Sequence, residues 1–391
     1  MSKQSHIERT ANEPRDASLH NLTISRIDEV SPTVRLFRLA IPPNESIHFL
    51  PGQWVDLYPP ASASIPKPGG FTITSSPSLA LSPQLSSSYV PSKHGISQHD
   101  RPSSEKPYIE LAIQRSPANP PAAYLFLPPS QLLNTPVQVR IGGSFVFPPP
   151  ALATPTLPDP STNRDSLNKN NKTSNTSTPT LSLLRKVVLV AGGMGINPLV
   201  SMLSFIGERQ PWEHQQEQEQ EQGDQREGGR IEAEVEAEVE AEVEVEVQVL
   251  YSVKDPLSSG IGDDGTDKDG GGSNLPRKAA RILFLERIVE LFHCGRVKGG
   301  LQLFLTGEGE GAAVEGVVRS DVVRCISGVE VPFQRRRLTV QDAEKAVGSD
   351  KDAAAVYVCG PPAMTDEFVR ELVSPEGFGM EKRRVLFEKW W

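Results

Sequence analysis

The chain changes texture once, and that change limits what it can fold into. Before a stretch rich in Pro, Thr, Ser and Asn at 151–183, apolar residues come in short runs punctuated by proline and glycine. After it, strand-like runs alternate with helical ones. Short strands at close spacing suggest a small antiparallel barrel; strand–helix alternation suggests a parallel, doubly wound sheet. At 391 residues the chain also exceeds the roughly 250–300 at which single cores stop growing. The sequence therefore predicts a β + α/β protein, with an antiparallel β-barrel over 21–150, a low-complexity linker over 151–183 and a doubly wound parallel α/β domain over 184–391.

The barrel runs are Leu22–Ser25, Val34–Leu39, Gln53–Leu57, Tyr108–Ile113 and Val137–Arg140, several of them alternating. Residues 1–20 are polar and lack periodicity, so they read as a disordered arm, and 78–107 reads as a Ser/Pro-rich loop insertion. In the second half, strands are expected at Lys186–Ala191, Val243–Ser252, Leu301–Thr306 and Ala354–Cys359. Helices are expected at Pro198–Ile206, Ala279–Phe292, Val340–Val347 and Met364–Leu372. Insertions at 208–242 and 256–277 interrupt this alternation. The first carries a Glu-Gln and then a Glu-Ala-Glu-Val repeat, whose apolar residues fall on odd numbers from Ile231 to Val249, the period of a strand. It is a solvated extension of the second strand or an acidic docking arm. The second, Gly/Asp-rich, is a flexible loop.

Composition excludes several classes. A net charge of −9 argues against nucleic acid or an anionic membrane as the main partner. Cys294, Cys325 and Cys359 are widely spaced, with no CxxC pair and no Cys/His cluster, so no metal site or disulfide framework is expected. The first residues lack an apolar core and carry Glu8, Glu13 and Asp16, unlike a secretory signal, and point to an intracellular protein. Val187–Ile206 has the length of a membrane span, but Gly192, Gly193, Gly195 and Asn197-Pro198 divide it into a strand and a helix start, so no span is expected.

Three separated segments carry candidate chemistry. In Ala191–Pro198 a glycine-rich turn follows an apolar strand and opens a helix. Gly192, Gly193 and Gly195 allow close backbone approach, Asn197 can cap the helix and Pro198 suits its first turn. Together with Ile196 they form an anion site fit for a pyrophosphate, or simply a tight turn. Cys359-Gly360-Pro361-Pro362, followed by Met364, leaves the last core strand at the edge where ligands of open α/β sheets bind; Cys359 is a nicotinamide contact or a small core residue. In Gly70-Phe71-Thr72-Ile73-Thr74-Ser75 an aromatic precedes alternating hydroxyls, so Phe71 and Ile73 point one way and Thr72 and Thr74 the other. Such a strand can lay a ring against a flavin, or be an ordinary strand entering a turn.

Taken together with Pro51–Val55, Asn119–Ala122, Leu250–Ser252 and the closing Phe387-Glu388-Lys389-Trp390-Trp391, these segments resemble the ferredoxin–NADP reductase superfamily, and within it the oxidoreductase NAD-binding domain-containing protein 1 group. The resemblance covers about 22–150 and 184–391 apart from the insertions. It implies a flavin-binding barrel followed by a nicotinamide-binding α/β domain, with FAD, or alternatively FMN, and NAD(P)H as cofactors. By the same resemblance Phe71 stacks on the isoalloxazine, Thr72 lies near flavin N5, and the 192–195 glycines cradle the pyrophosphate. Cys359, Gly360 and Pro361 border the nicotinamide, Glu388 is a carboxylate near the reacting centre, and Trp390 or Trp391 covers the flavin.

Two departures stand out. Gly69 occupies the place of an arginine that pairs with the flavin phosphate, leaving Lys67 as a nearby point charge. Asn119-Pro120-Pro121-Ala122 replaces a donor-bearing element. The expectation is a flavin-dependent NAD(P)H oxidoreductase that passes electrons to an acceptor, a protein or another molecule, that the sequence does not name. The alternative is a dinucleotide-binding, redox-sensing module with a vestigial flavin domain. Ser252 and Lys254 could meet a 2′-phosphate and Asp255 would oppose it, so NADH is favoured. Cytoplasm and mitochondrion both remain open as locations.

Overall fold

A computed structural model of the chain describes residues 6–82, 106–153, 184–209, 245–256, 277–278, 281–307 and 322–389. The linker beyond residue 153, most of the 78–107 and 208–242 insertions, residues 257–276 and both terminal tryptophans lie outside the described residues.

Six antiparallel strands form the first sheet: β1 (His20–Ser31), β2 (Val34–Ala40), β3 (Trp54–Tyr58), β4 (Gly69–Thr72), β5 (Tyr108–Gln114) and β6 (Pro136–Gly142), in the order β4-β3-β6-β1-β2-β5. An Ile73–Leu111 bridge and a Thr74 N–H to Glu110 carbonyl bond of 2.8 Å join the two edges just past the end of β4, closing the barrel. Alternation places Leu22, Ile24, Phe37, Leu39, Val55, Leu57, Val137 and Val139 in one interior cluster. The short helix α2 (Pro120–Tyr124), which follows α1 (His6–Arg9) in the chain, closes one mouth through Ala122 and Leu125.

The second domain holds β7 (Lys186–Gly192), β8 (Glu246–Lys254), β9 (Arg277–Lys278), β10 (Gly299–Thr306), β11 (Val322–Arg324), β12 (Glu330–Gln334), β13 (Ala354–Gly360) and β14 (Val385–Lys389), in the order β14-β13-β7-β8-β10-β12-β11-β9. From β14 to β12 neighbouring strands are parallel, while β11 runs antiparallel to β12. Its longer helices are Ile196–Gly207, Leu285–His293, Val340–Val347 and Pro362–Val373. The first two pack with Val187 and Leu189 on one face, the last two with Val188 and Val190 on the other. Helices on both faces make the sheet doubly wound, as the alternation predicts.

Four features differ from expectation. The helix expected from Ala279 begins at Leu285, because Phe284 takes left-handed backbone with φ 61°. The β11–β12 hairpin and the C-terminal strand β14 are added to the sheet. Residues 6–16, expected to be a loose arm, pack along the barrel: Arg15 bridges Gly142, Asp16 N–H donates to the Ile141 carbonyl (3.0 Å) and Gly143 N–H donates to the Pro14 carbonyl (3.0 Å).

Asp56 explains the docking. It is fully buried on β3, and His6 Nε2 (2.9 Å), Arg15 Nε (3.0 Å) and Arg140 Nη2 (2.7 Å) converge on its carboxylate. Burial acts to raise its pKa, but the hydrogen bonds from His6, Arg140 and Arg15 together outweigh it and bring the value down to about 2. Its folded-state pKa lies below the ordinary 3.8, so the stabilisation is complete above about pH 4 and is lost as pH falls towards 2. Asp56→Asn should cost about 3–5 kcal/mol in urea unfolding at neutral pH, as expected when one partner of a buried ionic cluster is removed. The difference from wild type should shrink between about pH 4 and pH 2.

Candidate functional site

The domains meet across β5. Its inner face joins the barrel core through Ile109, Leu111 and Ile113, and its outer face offers Glu110 and Ala112 to the second domain. Arg287 Nη2 reaches Glu110 Oε1 at 2.8 Å, and Asn197 Nδ2 donates to the Ala112 carbonyl at 3.0 Å. Ser201 Oγ donates to the Ser75 carbonyl (2.7 Å), and Ser76 and Ser78 donate to Glu208 (2.5 and 2.9 Å). Tyr357 completes the contact, donating to the Val146 carbonyl at 3.0 Å with its ring against Phe145.

Beside this contact lies a cavity of about 880 Å³. The barrel contributes Trp54 and Gly70–Thr72, the arm contributes His6, Arg9, Thr10 and Glu13, and the turn after β5 contributes Arg115, Ser116 and Asn119. Strand β14 supplies Phe387 and Glu388 from the second domain. Two polar atoms on these walls are enclosed and have no hydrogen-bond partner: Thr72 Oγ1 and Glu388 Oε2. Glu388 as a residue is only half-buried, yet this oxygen is sealed. Burial, with a smaller push from Glu13, raises its pKa to about 8, so it is a protonated donor at neutral pH.

The sequence-derived candidates separate into three groups. Gly70, Phe71, Thr72 and Glu388 border the cavity. Phe71 is 5% exposed and packs within the barrel core, opposite Val55, so most of its ring is turned to barrel neighbours. A second group serves packing and the domain contact. Ile73 bridges Leu111, Thr74 Oγ1 donates to Glu110 Oε1 (3.0 Å), and Ser75 Oγ accepts from Glu110 N–H (3.0 Å). Asn197 lies inside its helix and does not cap it; its amide is committed to Ala112. Ile196 and Pro198 are buried beside it.

The third group lines the carboxyl edge of the sheet. Cys359 lies between Ala191 and Glu388, and Ser252 pairs with Gly192. A Cβ on Gly195 would fall 2.0 Å from the Cys359 carbonyl oxygen, and one on Gly192 would fall 2.7 Å from Met364 Sδ and 2.9 Å from Pro361 Cδ. These glycines let the turn press against β13 and its exit. Gly193, at φ 55° and with open space around it, is the glycine of the turn free to approach a ligand. Pro361 is exposed, Pro362 and Met364 are half-exposed, and Gly360 is buried. Lys67 is exposed and outside the cavity wall, while Trp390 and Trp391 lie outside the described residues.

Arg9, Thr10, Glu13, Arg115 and Ser116 are site residues that sequence reasoning missed. The signal was indirect: Asp56 within the apolar run Trp54–Leu57 requires cations, but no spacing identifies them as His6 and Arg15. The Gly69 departure also acquires a cause. A Cβ there would lie 2.7 Å from the Phe71 ring and 2.8 Å from Pro121 Cβ, so no side chain fits.

Two predictions follow from this geometry. Gly195→Ala should destabilise the protein by about 1–3 kcal/mol through overpacking, read as a lower unfolding midpoint. For Glu388 the folded-state pKa lies above the ordinary 4.5, so the stability it confers is complete below about pH 4.5 and is lost as pH rises towards 8. Glu388→Gln, which resembles the protonated form, should match wild type near pH 4.5 and become increasingly more stable than it up to about pH 8.

No family model matches the chain. Solved structures with a similar course include a flavohemoglobin from Malassezia yamatoensis with bound FAD and heme, at 12% identity and TM-score 0.49 over 98% of this chain and 63% of that one. A ferredoxin NADP+ reductase from Neisseria gonorrhoeae with bound FAD and NADP aligns at 13% identity and TM-score 0.47, over 96% of this chain and 100% of that one. Among curated sequences, a Xenopus laevis protein is 26% identical over 391 residues, covering 99% of this chain and 84% of its own length. A Danio rerio protein is 24% identical over 386 residues, covering 99% and 97%. A Homo sapiens protein is 25% identical over 390 residues, covering 100% and 85%. All three carry one name, so along its whole length the chain is a homologue of the proteins called Oxidoreductase NAD-binding domain-containing protein 1.

Proposed function

We propose that the chain is a flavin-dependent NAD(P)H oxidoreductase whose flavin occupies the cavity between barrel and β14. The observation that carries this reading is the pair of enclosed, partnerless polar atoms, Thr72 Oγ1 and Glu388 Oε2, on opposite domains around one cavity. Buried polar atoms left unpaired cost about 1–3 kcal/mol each, so a ligand with complementary acceptors and donors offsets that cost. A flavin fits the donor set and the space, since cofactor pockets span roughly 300–1,000 Å³ and this one is about 880 Å³. When bound, a flavin supplies acceptance of hydride from a nicotinamide.

The residues of the chain have defined tasks in this scheme. Thr72 Oγ1 hydrogen-bonds the ring edge. Protonated Glu388 holds a proton on an enclosed carboxyl in the cavity wall, a donor to the ring once the ligand is seated. The Gly193 turn and the exposed Pro361 exit give a nicotinamide dinucleotide a path along the carboxyl edge of the sheet. NADH is favoured because Asp255 follows β8 and opposes a second phosphate, although Arg335, 3.9 Å from it, weakens that bias. FAD and FMN both satisfy the donor set, and the electron acceptor is a separate molecule. Among the described residues no helix is long and apolar enough to cross a membrane.

A second reading, a dinucleotide-binding module without flavin, is favoured by the blocked Gly69 position and by His6 seated over Gly70. A visible spectrum of the purified protein, with and without added FAD or FMN and then with anaerobic NADH, separates the two. Flavin bands that bleach on NADH support the enzyme. No flavin bound at high micromolar concentration, with NADH still binding, would leave the module.

A further inference from the structure

We propose that Arg115 of the barrel and Arg9 of the arm are the cations that bind the cofactor's phosphate in the cavity. The proposal rests on the flavin reading above, and it follows from where charge can and cannot reach this site.

Strand β4 supplies none. Gly69 has no room for a side chain, and Lys67 lies off the wall. Helix α2 supplies little, because Pro120 and Pro121 have no N–H and the Ala122 N–H already faces Asn119 Oδ1 at 3.4 Å. A phosphate placed against these elements would find almost no donors.

Lys389 of β14 borders the cavity but is paired with Asp366 at 2.6 Å, and further positive charge enters from two other walls. Arg115 stands in the turn between β5 and α2, with its backbone N–H fixed on the Thr33 carbonyl at 2.7 Å. Its exposed side chain borders the cavity, and the Ser116 hydroxyl follows it on the same wall. Arg9 comes from the arm. His6, one turn before it, fills the space over Gly70, where a Cβ would fall 2.0 Å from the imidazole. The Asp56 cluster and the edge of His6 against Trp54 at 4.7 Å make the arm a fixed support. Arg9 itself is exposed and borders the cavity.

Of the acids on the wall, Glu13 is held by Ser144 Oγ (2.6 Å) and Ser144 N–H (3.0 Å), and Glu388 sits on β14. A flavin with its ring between Thr72 and Glu388 would share its cavity with Arg115 and Arg9, the cations assigned to its anionic tail.

The test compares FMN with riboflavin, which lacks the phosphate, by fluorescence quenching on the full-length chain. Wild type should bind FMN about ten- to a hundredfold tighter than riboflavin, the range expected of charge-assisted bonds. Arg115→Ala and Arg9→Ala should each weaken FMN about tenfold, leave riboflavin unchanged and flatten the salt dependence. Arg115→Lys should keep part of the effect. FMN binding unchanged in both alanine variants overturns the proposal. A matching loss for riboflavin in Arg9→Ala makes Arg9 a support of the arm and overturns its half. Equal binding of FMN and riboflavin by wild type removes the phosphate site but leaves the flavin reading standing; binding of neither removes both.

Discussion

One carboxylate holds the two halves of the molecule in register. Glu110 is 4% exposed and sits on the outer face of β5, between a barrel and a sheet with separate cores. Arg287 meets it from the second domain, and Thr74 meets it from the segment that closes the barrel. An ion pair whose carboxylate is this enclosed contributes little net stability, because desolvation opposes the attraction, but a buried carboxylate tolerates few alternative geometries. That intolerance is what the cavity needs. Its walls come from both domains, and the spacing of Thr72 from Glu388 is only as well defined as the seating of one domain on the other.

The arm obeys the same logic on the opposite side. A polar segment of this composition would not order by itself. It orders because Asp56 is already buried on β3 with Arg140, and an unbalanced carboxylate attracts further cations from whatever chain is near. His6 and Arg15 supply them, and Arg15 and His6 both pack on Trp54. The arm thereby becomes a wall and brings Arg9, Thr10 and Glu13 to a place that no barrel strand provides.

Much of the fold was legible because it rests on periodicity. The parallel strands β7, β8, β10 and β13 and three of the four longer helices lie at or near the expected ranges, the fourth starts late, at Leu285 rather than Ala279, and the barrel strands contain the alternating runs. What escaped had no local signal. The strand character of Val385–Lys389 comes from pairing with β13, and the order of residues 6–16 comes from a carboxylate forty residues and more away in sequence. Asn197 shows the same limit within a motif. Its place before a proline resembles a helix cap, yet the neighbouring barrel presents the Ala112 carbonyl, and the tertiary bond wins.

The glycines carry this point furthest. In sequence, Gly192, Gly193 and Gly195 look like places where a backbone approaches a ligand, Gly70 opens the flavin segment, and Gly69 stands where an arginine is expected. In the fold most of them are places where something of the protein's own approaches: the Phe71 ring and Pro121 at Gly69, His6 at Gly70, Met364 and Pro361 at Gly192, the Cys359 carbonyl at Gly195. Of these five, Gly193 alone combines positive φ with open space. A glycine-rich motif therefore states that contact is close without stating what makes it. Where the contact is internal, as at Gly69, the charge a cofactor needs has to come from another element, and here the elements that carry it are the turn after β5 and the arm.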